Sequence, residues 1–138
     1  MNIVLDTNIV ASAMYFGGKP ARLVELVVAH EVNAFVSEQI VSEYYATTER
    51  LETKYSRKNG TPPVKDIVSH CSFVAPAERV SVCRDADDDK FIECALEGNC
   101  LYIVSGDNDL LDLKSYEGVE IITVAEFFHR LKDTEDNQ

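Results

Sequence analysis

Carboxylates are concentrated in one short stretch of the chain, and single aspartates also end two apolar runs. The stretch RDADDDKFIECA (84–95) places four aspartates within five positions, ahead of a half-apolar segment. Asp6 ends the run NIVLD (2–6), and Asp107 ends LYIVSGD (101–107). Such residues serve either as helix caps facing water or as oxygen ligands for hard divalent cations. The elements that carry them decide between these roles.

Strand-like and helix-like segments alternate along the chain. Short continuous apolar runs are typical of strands buried on both faces, and they occur at 2–6, 33–37, 101–107 and 119–123. Amphipathic segments predict helices that begin at Pro20, Glu38, Pro63, Asp87 and Val124. The alternation predicts an α/β fold with a mostly parallel sheet, and the clearest loop is 56–63.

Two of the carboxylates fall where a parallel sheet forms its sites. In open parallel sheets, ligands bind where the loops after the carboxyl ends of the strands converge. Asp6 and Asp107 both occupy such ends. Each is also well placed to cap the helix that follows, so either residue alone is explained by capping.

The helix predicted from Glu38 supplies a third candidate. With successive residues about 100° apart, the stripe expected to face the core contains Ile40, Tyr44, Thr47, Leu51 and Tyr55. Most glutamates of this helix point away from the stripe, whereas Glu43 lies on its flank. A carboxylate there is costly to desolvate unless a base or a cation partners it. Glu43 is therefore either half of a salt bridge or part of a cation site.

The same treatment separates the aspartates of 84–95. The apolar face of that helix is formed by Phe91, Ile92, Ala95 and Leu96. Asp88 precedes this face by one turn and is predicted to point towards the core, while Asp89 lies at the margin and Asp87 faces water. Asp85 precedes the helix at the N-cap position. The alternative for Asp88 is a reciprocal capping interaction with Asp85.

We expect four carboxylates to be directed at one crevice, namely Asp6, Glu43, Asp88 and Asp107. Like charges held close raise one another's pKa, so this arrangement is favourable mainly when cations lie between them. All-oxygen ligation suits Mg²⁺ or Mn²⁺. Such a site would activate water and offset the charge of a phosphodiester.

Composition limits the remaining choices. The 138 residues suit one domain, which we predict at 1–132, with a polar C-terminal tail at 133–138. A net charge of -11 argues against simple electrostatic binding of nucleic acid, unless divalent cations reverse the charge locally. The chain shows no signal-peptide pattern and no apolar run near the roughly 18 residues that span a bilayer. We expect a cytoplasmic protein with no membrane partner, whose four cysteines are free thiols.

Four segments taken in order resemble the PIN domains, in particular the bacterial and archaeal toxins of toxin–antitoxin systems. The segments are IVLDTNIV (3–10), the helix around Glu43, RDADDDKFIECAL (84–96) and YIVSGDNDLL (102–111). The resemblance implies a three-layer α/β/α sandwich and a Mg²⁺- or Mn²⁺-dependent ribonuclease. The acidic quartet of the family falls at Asp6, Glu43, Asp88 and Asp107, and a shift of one residue would select Asp89 as the third acid.

The resemblance also implies a role for other residues and partners. Ser105 takes the place of a hydroxyl residue before the last acid, Asn8 that of a polar residue near the first, and Asp109 that of an outer ligand. Implied partners are an RNA substrate, a cognate antitoxin protein and a second copy in a homodimer. A basic segment is either a rim that contacts the RNA backbone or an exposed helix end; its residues are Arg50, Lys54, Arg57, Lys58 and Lys65.

Two other classes of protein compete with a ribonuclease. One is a non-catalytic PIN-like module for nucleic-acid binding or assembly, which the complete quartet disfavours. The other is a phosphatase or receiver-type domain, which also carries aspartates at strand ends. The segment LDTNIV lacks the second aspartate of a D-x-D-x-T phosphatase, and VEIITVAEF lacks the lysine of a receiver.

Overall fold

The fold is built on one sheet that runs through the middle of the chain. The structure, a computed structural model, describes residues 1–136. Its strands are β1 (Asn2–Leu5), β2 (Asn33–Val36), β3 (Ser72–Phe73), β4 (Tyr102–Val104), β5 (Ser115–Tyr116) and β6 (Val119–Ile122). Its helices are α1 (Thr7–Tyr15), α2 (Gly18–Val28), α3 (Glu38–Glu52), α4 (Val64–Ser69), α5 (Asp89–Glu97), α6 (Asn108–Leu111) and α7 (Val124–Asp136), and a 3₁₀ turn covers Ala86–Asp88.

The strand order is β3-β2-β1-β4-β6-β5, and all neighbours are parallel except the β5–β6 hairpin. Strand β1 is central, with Ile3 opposite both Ala34 of β2 and Tyr102 of β4. From β1 the chain passes to β2 and β3 on one side and then returns to β4 on the other. The crevice at the carboxyl ends of β1 and β4 is therefore the switch point where open parallel sheets bind ligands.

The central strands are apolar because both faces of the sheet are covered. Ile3, Val4, Ile103 and Val104 have no exposed surface. Helix α5 packs over β1, β2, β4 and β6, while α1, α2, α3, α4 and α7 pack against one another. The predicted α/β class with a mostly parallel sheet is confirmed, and the layers form an α/β/α sandwich.

Three predicted details of the helices were wrong. Helix α3 ends at Glu52, so Tyr55 lies beyond it and is 44% exposed. Thr48, not Thr47, is the buried threonine of α3, and its hydroxyl donates to the Tyr44 carbonyl over 2.8 Å. The helix predicted from Asp87 begins at Asp89, because the preceding three residues wind as a 3₁₀ turn.

The C-terminal helix is longer than the sequence pattern indicated. Helix α7 continues to Asp136, four residues into the segment predicted as a polar tail. The Thr134 hydroxyl donates to the Arg130 carbonyl over 3.0 Å within this helix. Residues 137–138 of the predicted tail lie outside the described part of the chain. None of the helices described between residues 1 and 136 is long and apolar enough to cross a membrane.

Candidate functional site

Asp6 is buried at the carboxyl end of β1, with 4% of its surface exposed. Its amide continues the sheet by donating to the Val104 carbonyl over 2.9 Å. Its Oδ2 accepts a hydrogen bond from the Ser105 hydroxyl over 2.6 Å. Burial raises the pKa of Asp6 above its ordinary value; the Ser105 hydrogen bond opposes that rise, and the charges of Asp107 and Glu43 add to it. Asp6 is thus directed into the switch-point crevice.

Ser105 joins the two strand ends of the crevice. It is fully buried, and its oxygen also accepts a hydrogen bond from the Asp107 amide over 3.0 Å. Asp107 uses Oδ1 to accept from the Asp109 amide over 3.1 Å, which caps the short helix α6. The capping alternative therefore holds for one oxygen of Asp107. By resemblance, Ser105 is the hydroxyl residue before the last acid. In the structure it hydrogen-bonds to the Asp6 carboxylate and to the Asp107 amide.

Asp88 approaches the same crevice from the 3₁₀ turn. Its Oδ2 is buried and has no hydrogen-bond partner among residues 1–136. Burial, then the charges of Asp6 and Asp107, raise the pKa of Asp88 to about 7, and Lys90 partly offsets them. The charges of Asp6 and Asp107, which are distant from Asp88 in the sequence, therefore contribute to the raised pKa of Asp88. A buried carboxylate oxygen without a partner is rare, and a bound water or cation is one explanation for it.

Glu43 reaches the edge of this cluster but is already paired. The Tyr44 hydroxyl donates to the Leu5 carbonyl over 2.5 Å, which fixes α3 against the end of β1. Glu43 Oε1 accepts from the Thr7 hydroxyl over 2.5 Å, and its Oε2 lies 2.5 Å from Lys90 Nζ. The salt-bridge alternative for Glu43 is thus realised. We call the group of Asp6, Glu43, Asp88 and Asp107 the acidic cleft.

The donor set of the acidic cleft fits a hard divalent ion. All four candidate side chains offer oxygen, the ligand that Mg²⁺ and Mn²⁺ prefer. The unpartnered Asp88 Oδ2 is available to such an ion. As the side chains stand, no three His, Cys, Asp or Glu residues between 1 and 136 form a group that could hold a metal ion.

Asp89, the alternative third acid, has a different environment from Asp88. It is 8% exposed, and its Oδ1 accepts from the amides of Val82 and Cys83 over 3.1 and 2.9 Å. Two glutamates one and two turns later in α5 make similar bonds. Glu93 accepts from the Val80 amide over 3.0 Å, and Glu97 accepts from the Ala77 amide over 2.9 Å.

These bonds hold the segment 77–83 along α5. We call Asp89, Glu93 and Glu97 the backbone clamp. This clamp was not predicted from the sequence, although its signal was present as three acids spaced four residues apart, which lie on one face of a helix. The predicted helical phase was also wrong for Asp89. Asp89 was predicted at the margin of the apolar face but is buried, because α5 begins only at Asp89.

Other residues named from the sequence lie outside the acidic cleft. Asn8 is exposed. Asp109 forms an ion pair with Arg84 over 2.8 Å, and the same guanidinium reaches Asp112 over 3.2 Å. Asp85 caps the 3₁₀ turn by accepting from the Asp87 amide over 3.0 Å, as expected for a helix-starting residue.

The basic segment lies away from the aspartates. The Lys58 amide donates to the Met14 carbonyl over 2.8 Å, and the ring of Tyr55 lies 6.4 Å from that of Tyr15. These contacts are at the C-terminal end of α1, whereas Asp6 precedes its first residue. Nine helical residues at about 1.5 Å each separate the two ends by roughly 13 Å.

A groove opens beside the acidic cleft, next to Glu43 and Lys90. It has a volume of about 700 Å³ and is lined by Glu43, Asp87 and Lys90 near the cleft. At Arg79 it joins a second groove of about 470 Å³ that reaches the ring of Phe73, which is 60% exposed. Arg79 lines both grooves and Phe73 lines the second, together with the carboxylates of Glu38 and Glu93, which line both. This pair of a basic and an aromatic side chain was not predicted from the sequence.

The cysteines are free thiols, as predicted. Cys94 and Cys100 are buried, and Cys71 and Cys83 are half-buried. Burial raises the pKa of each to about 12, so they are protonated at neutral pH. Thiolate chemistry is therefore not expected at any of the four.

Comparison with known proteins places this arrangement in a family. An uncharacterized protein of Methanocaldococcus jannaschii, MJ1680, is 29% identical over 118 residues, which cover 83% of this chain and 76% of the relative. The sequence model of the PIN domain matches residues 2–109, a range that includes the whole acidic cleft. Because this match covers well over half of the chain, the protein belongs to the PIN domain family and has its nuclease-type fold.

Proposed function

We propose that the protein is a metal-dependent ribonuclease and the toxin of a toxin–antitoxin pair. The observation that carries the proposal is the buried, unpartnered Oδ2 of Asp88, which faces the charges of Asp6 and Asp107. Three carboxylates repelling one another at a sheet switch point are unfavourable for the protein alone and favourable once a cation binds. Membership of a nuclease family gives that cation a reaction to support.

Each residue of the acidic cleft has a proposed part in phosphodiester hydrolysis. Asp6, Asp88 and Asp107 would hold Mg²⁺ or Mn²⁺, and Glu43 completes the quartet. The bound ion would supply a water of lowered pKa and offset negative charge on the phosphodiester. Ser105 fixes the orientation of Asp6 through its 2.6 Å hydrogen bond and ties it to the Asp107 backbone.

The groove is the proposed path for the RNA strand. A chain with net charge -11 repels a polyanion at long range, so local cations have to position it. Arg79 is exposed between the two grooves and can contact a phosphate, while Phe73 offers a ring for base stacking. We prefer these residues to the basic segment around Lys58, which lies beyond the far end of α1.

The toxin role rests on the resemblance to the toxin group of PIN domains. In that role the protein acts in the cytoplasm, forms a homodimer and is neutralised by a cognate antitoxin. A small open reading frame with a DNA-binding pattern beside the gene would support it. Induced expression should arrest growth, and co-expression of the neighbouring product should restore it; growth without arrest contradicts the toxin role.

The nuclease is tested with a mixed RNA pool and Mn²⁺. Wild type should cleave the pool, Asp88→Asn should not, and Asp66→Asn should behave as wild type. Asp66 is the matched control because it is an exposed aspartate of α4 that lines neither groove. If wild type and Asp88→Asn behave alike, the non-catalytic PIN-like module becomes the better description. Equal cleavage of single-stranded DNA would contradict the RNA preference.

A further inference from the structure

Lys90 contacts the acidic cleft directly, and the nuclease proposal provides no role for it. It follows the aspartates directly in the sequence and belongs to the first turn of α5. Only 11% of its side chain is exposed, an unusual degree of burial for a lysine. Its ammonium group lies 2.5 Å from Glu43 Oε2, donates to the Asp87 carbonyl, and sits 5.1 Å above the Phe91 ring.

These contacts hold both members of the Lys90–Glu43 pair in place. Glu43 has one oxygen on the Thr7 hydroxyl and the other on the Lys90 ammonium. Phe91 is fully buried, so the lysine is held between a rigid ring and two oxygen acceptors. Removing Glu43 from a largely buried lysine would leave that charge uncompensated, which is strongly unfavourable.

We infer that Lys90 takes the place of a second metal ion, so that the acidic cleft binds a single divalent cation on its three aspartates. Two-metal sites place their ions about 3.5–4 Å apart, so a second ion here would need ligand oxygens on the Glu43 side of the cleft as well. On one flank of this cleft, Asp88 offers an unpartnered oxygen. On the other flank, both oxygens of Glu43 are taken by Thr7 and Lys90. The inference depends on the proposed metal-dependent function, and it makes Lys90 a positioning residue.

The charges are consistent with this arrangement. Lys90 neutralises Glu43, which leaves the three aspartates to face one divalent ion. A fixed ammonium group thus performs part of the compensation that a second ion would otherwise provide.

Mn²⁺ binding tests the inference without any measurement of activity. The number of bound ions per chain can be counted from the loss of the free-Mn²⁺ signal in electron paramagnetic resonance during a titration. Wild type should bind about one ion, and Lys90→Met, which releases Glu43, should bind about two. Adding Glu43→Gln to Lys90→Met should return the count to about one.

Two variants control for charge and for folding. Lys65→Met removes an exposed lysine of α4 and should keep a count of about one, which separates a local effect from the change in net charge. Lys90→Arg keeps the ion pair and should also bind about one ion. It provides a folded comparison if Lys90→Met is unstable.

Failure of the inference can be told from failure of the proposed function. If wild type binds two ions, or if Lys90→Met binds one as Lys65→Met does, Lys90 does not replace an ion although the metal site stands. If Lys90→Met does not fold and Lys90→Arg binds two, the inference is equally overturned. If wild type binds no Mn²⁺ and Asp88→Asn is indistinguishable from it, the metal-dependent function is wrong as well.

Discussion

The acidic cleft and the backbone clamp use the same kind of residue in opposite ways. Asp88 and Asp89 are neighbours in the sequence, and both are at least partly buried. The clamp residue Asp89 is satisfied by two backbone amides, whereas Asp88 has an oxygen with no partner in the described chain, residues 1–136. One aspartate run thus contains both a structural residue and a candidate metal ligand. Burial alone therefore does not identify a metal ligand. What distinguishes the two is whether backbone donors have already been supplied.

The largest effect on RNA cleavage should appear when the negative charges of Asp88 and of Asp89 are removed in separate variants. Asp88→Asn should lower RNA cleavage with Mn²⁺ at least about 100-fold, because a metal contributes several kcal/mol to catalysis and each 1.4 kcal/mol is tenfold. Asp89→Asn should stay within about fivefold of wild type at a temperature where both are folded. Single-turnover cleavage is the measurement, with circular dichroism as the check on folding.

The reverse outcome would assign the ligand differently. If Asp89→Asn abolished cleavage and Asp88→Asn retained it, the third acid of the quartet would be Asp89. The clamp contacts of Asp89 would then be secondary to metal binding.

The free energy of unfolding should depend on Asp89 of the clamp, whereas RNA cleavage should depend on Asp88. Asp89→Ala removes the acceptor of two amide hydrogen bonds and should lower the free energy of unfolding by about 2–4 kcal/mol. Glu93→Ala removes one such bond, to Val80, and should cost about 1–3 kcal/mol. Urea unfolding in EDTA measures both. Mn²⁺ affinity of the folded fraction should be unchanged, and a tenfold loss would contradict a purely structural clamp.

The sheet was predictable from sequence because its strands are covered on both faces. Continuous apolar runs located β1, β2 and β6 to within one residue, whereas the run at 101–107 extends three residues beyond the end of β4. The short strands β3 and β5 were missed, since two residues are too few to show a pattern. Strand β5 is joined to β6 by Glu117 and Gly118, which both have positive φ and form a tight turn.

The site was only partly predictable because its geometry depends on partners distant in sequence. Strand ends located Asp6 and Asp107, and helical phasing placed Glu43 beside the cleft. Phasing could not fix Asp88, because a 3₁₀ turn interrupts the 100° periodicity before α5. The pairing of Lys90 with Glu43 joins residues 47 positions apart and leaves no local pattern.

The cleft should also make the metal-free protein less stable as pH rises. The pKa of Asp88 is about 7 in the folded protein and 3.8 in its ordinary state. Between about pH 4 and pH 7 the folded form therefore binds more protons than the unfolded form, so stability present below pH 4 is lost as pH rises through 7. Burial of Asp6 acts in the same direction.

Asp88→Asn should remove most of this pH dependence. In EDTA at pH 8 the variant should be more stable than wild type by about 1–3 kcal/mol, since the uncharged amide avoids the repulsion. Urea unfolding between pH 4 and 8 measures the difference, and Asp87→Asn is the control. A wild-type stability that rises with pH over this range would contradict the repulsion between the aspartates.

The smallest effect is expected at Asp109, which belongs to neither the cleft nor the clamp. By resemblance it would be an outer ligand, but its side chain is 44% exposed and pairs with Arg84, itself 64% exposed. Exposed ion pairs contribute about 0–1 kcal/mol, so Asp109→Asn should hardly change the free energy of unfolding. Mn²⁺ affinity should also stay within about threefold of wild type, whereas loss of a residue that orients a metal ligand costs about 10- to 100-fold. A loss of that size in a Mn²⁺ titration would bring Asp109 into the cleft, and would mean that the Arg84 pair opens when the ion binds.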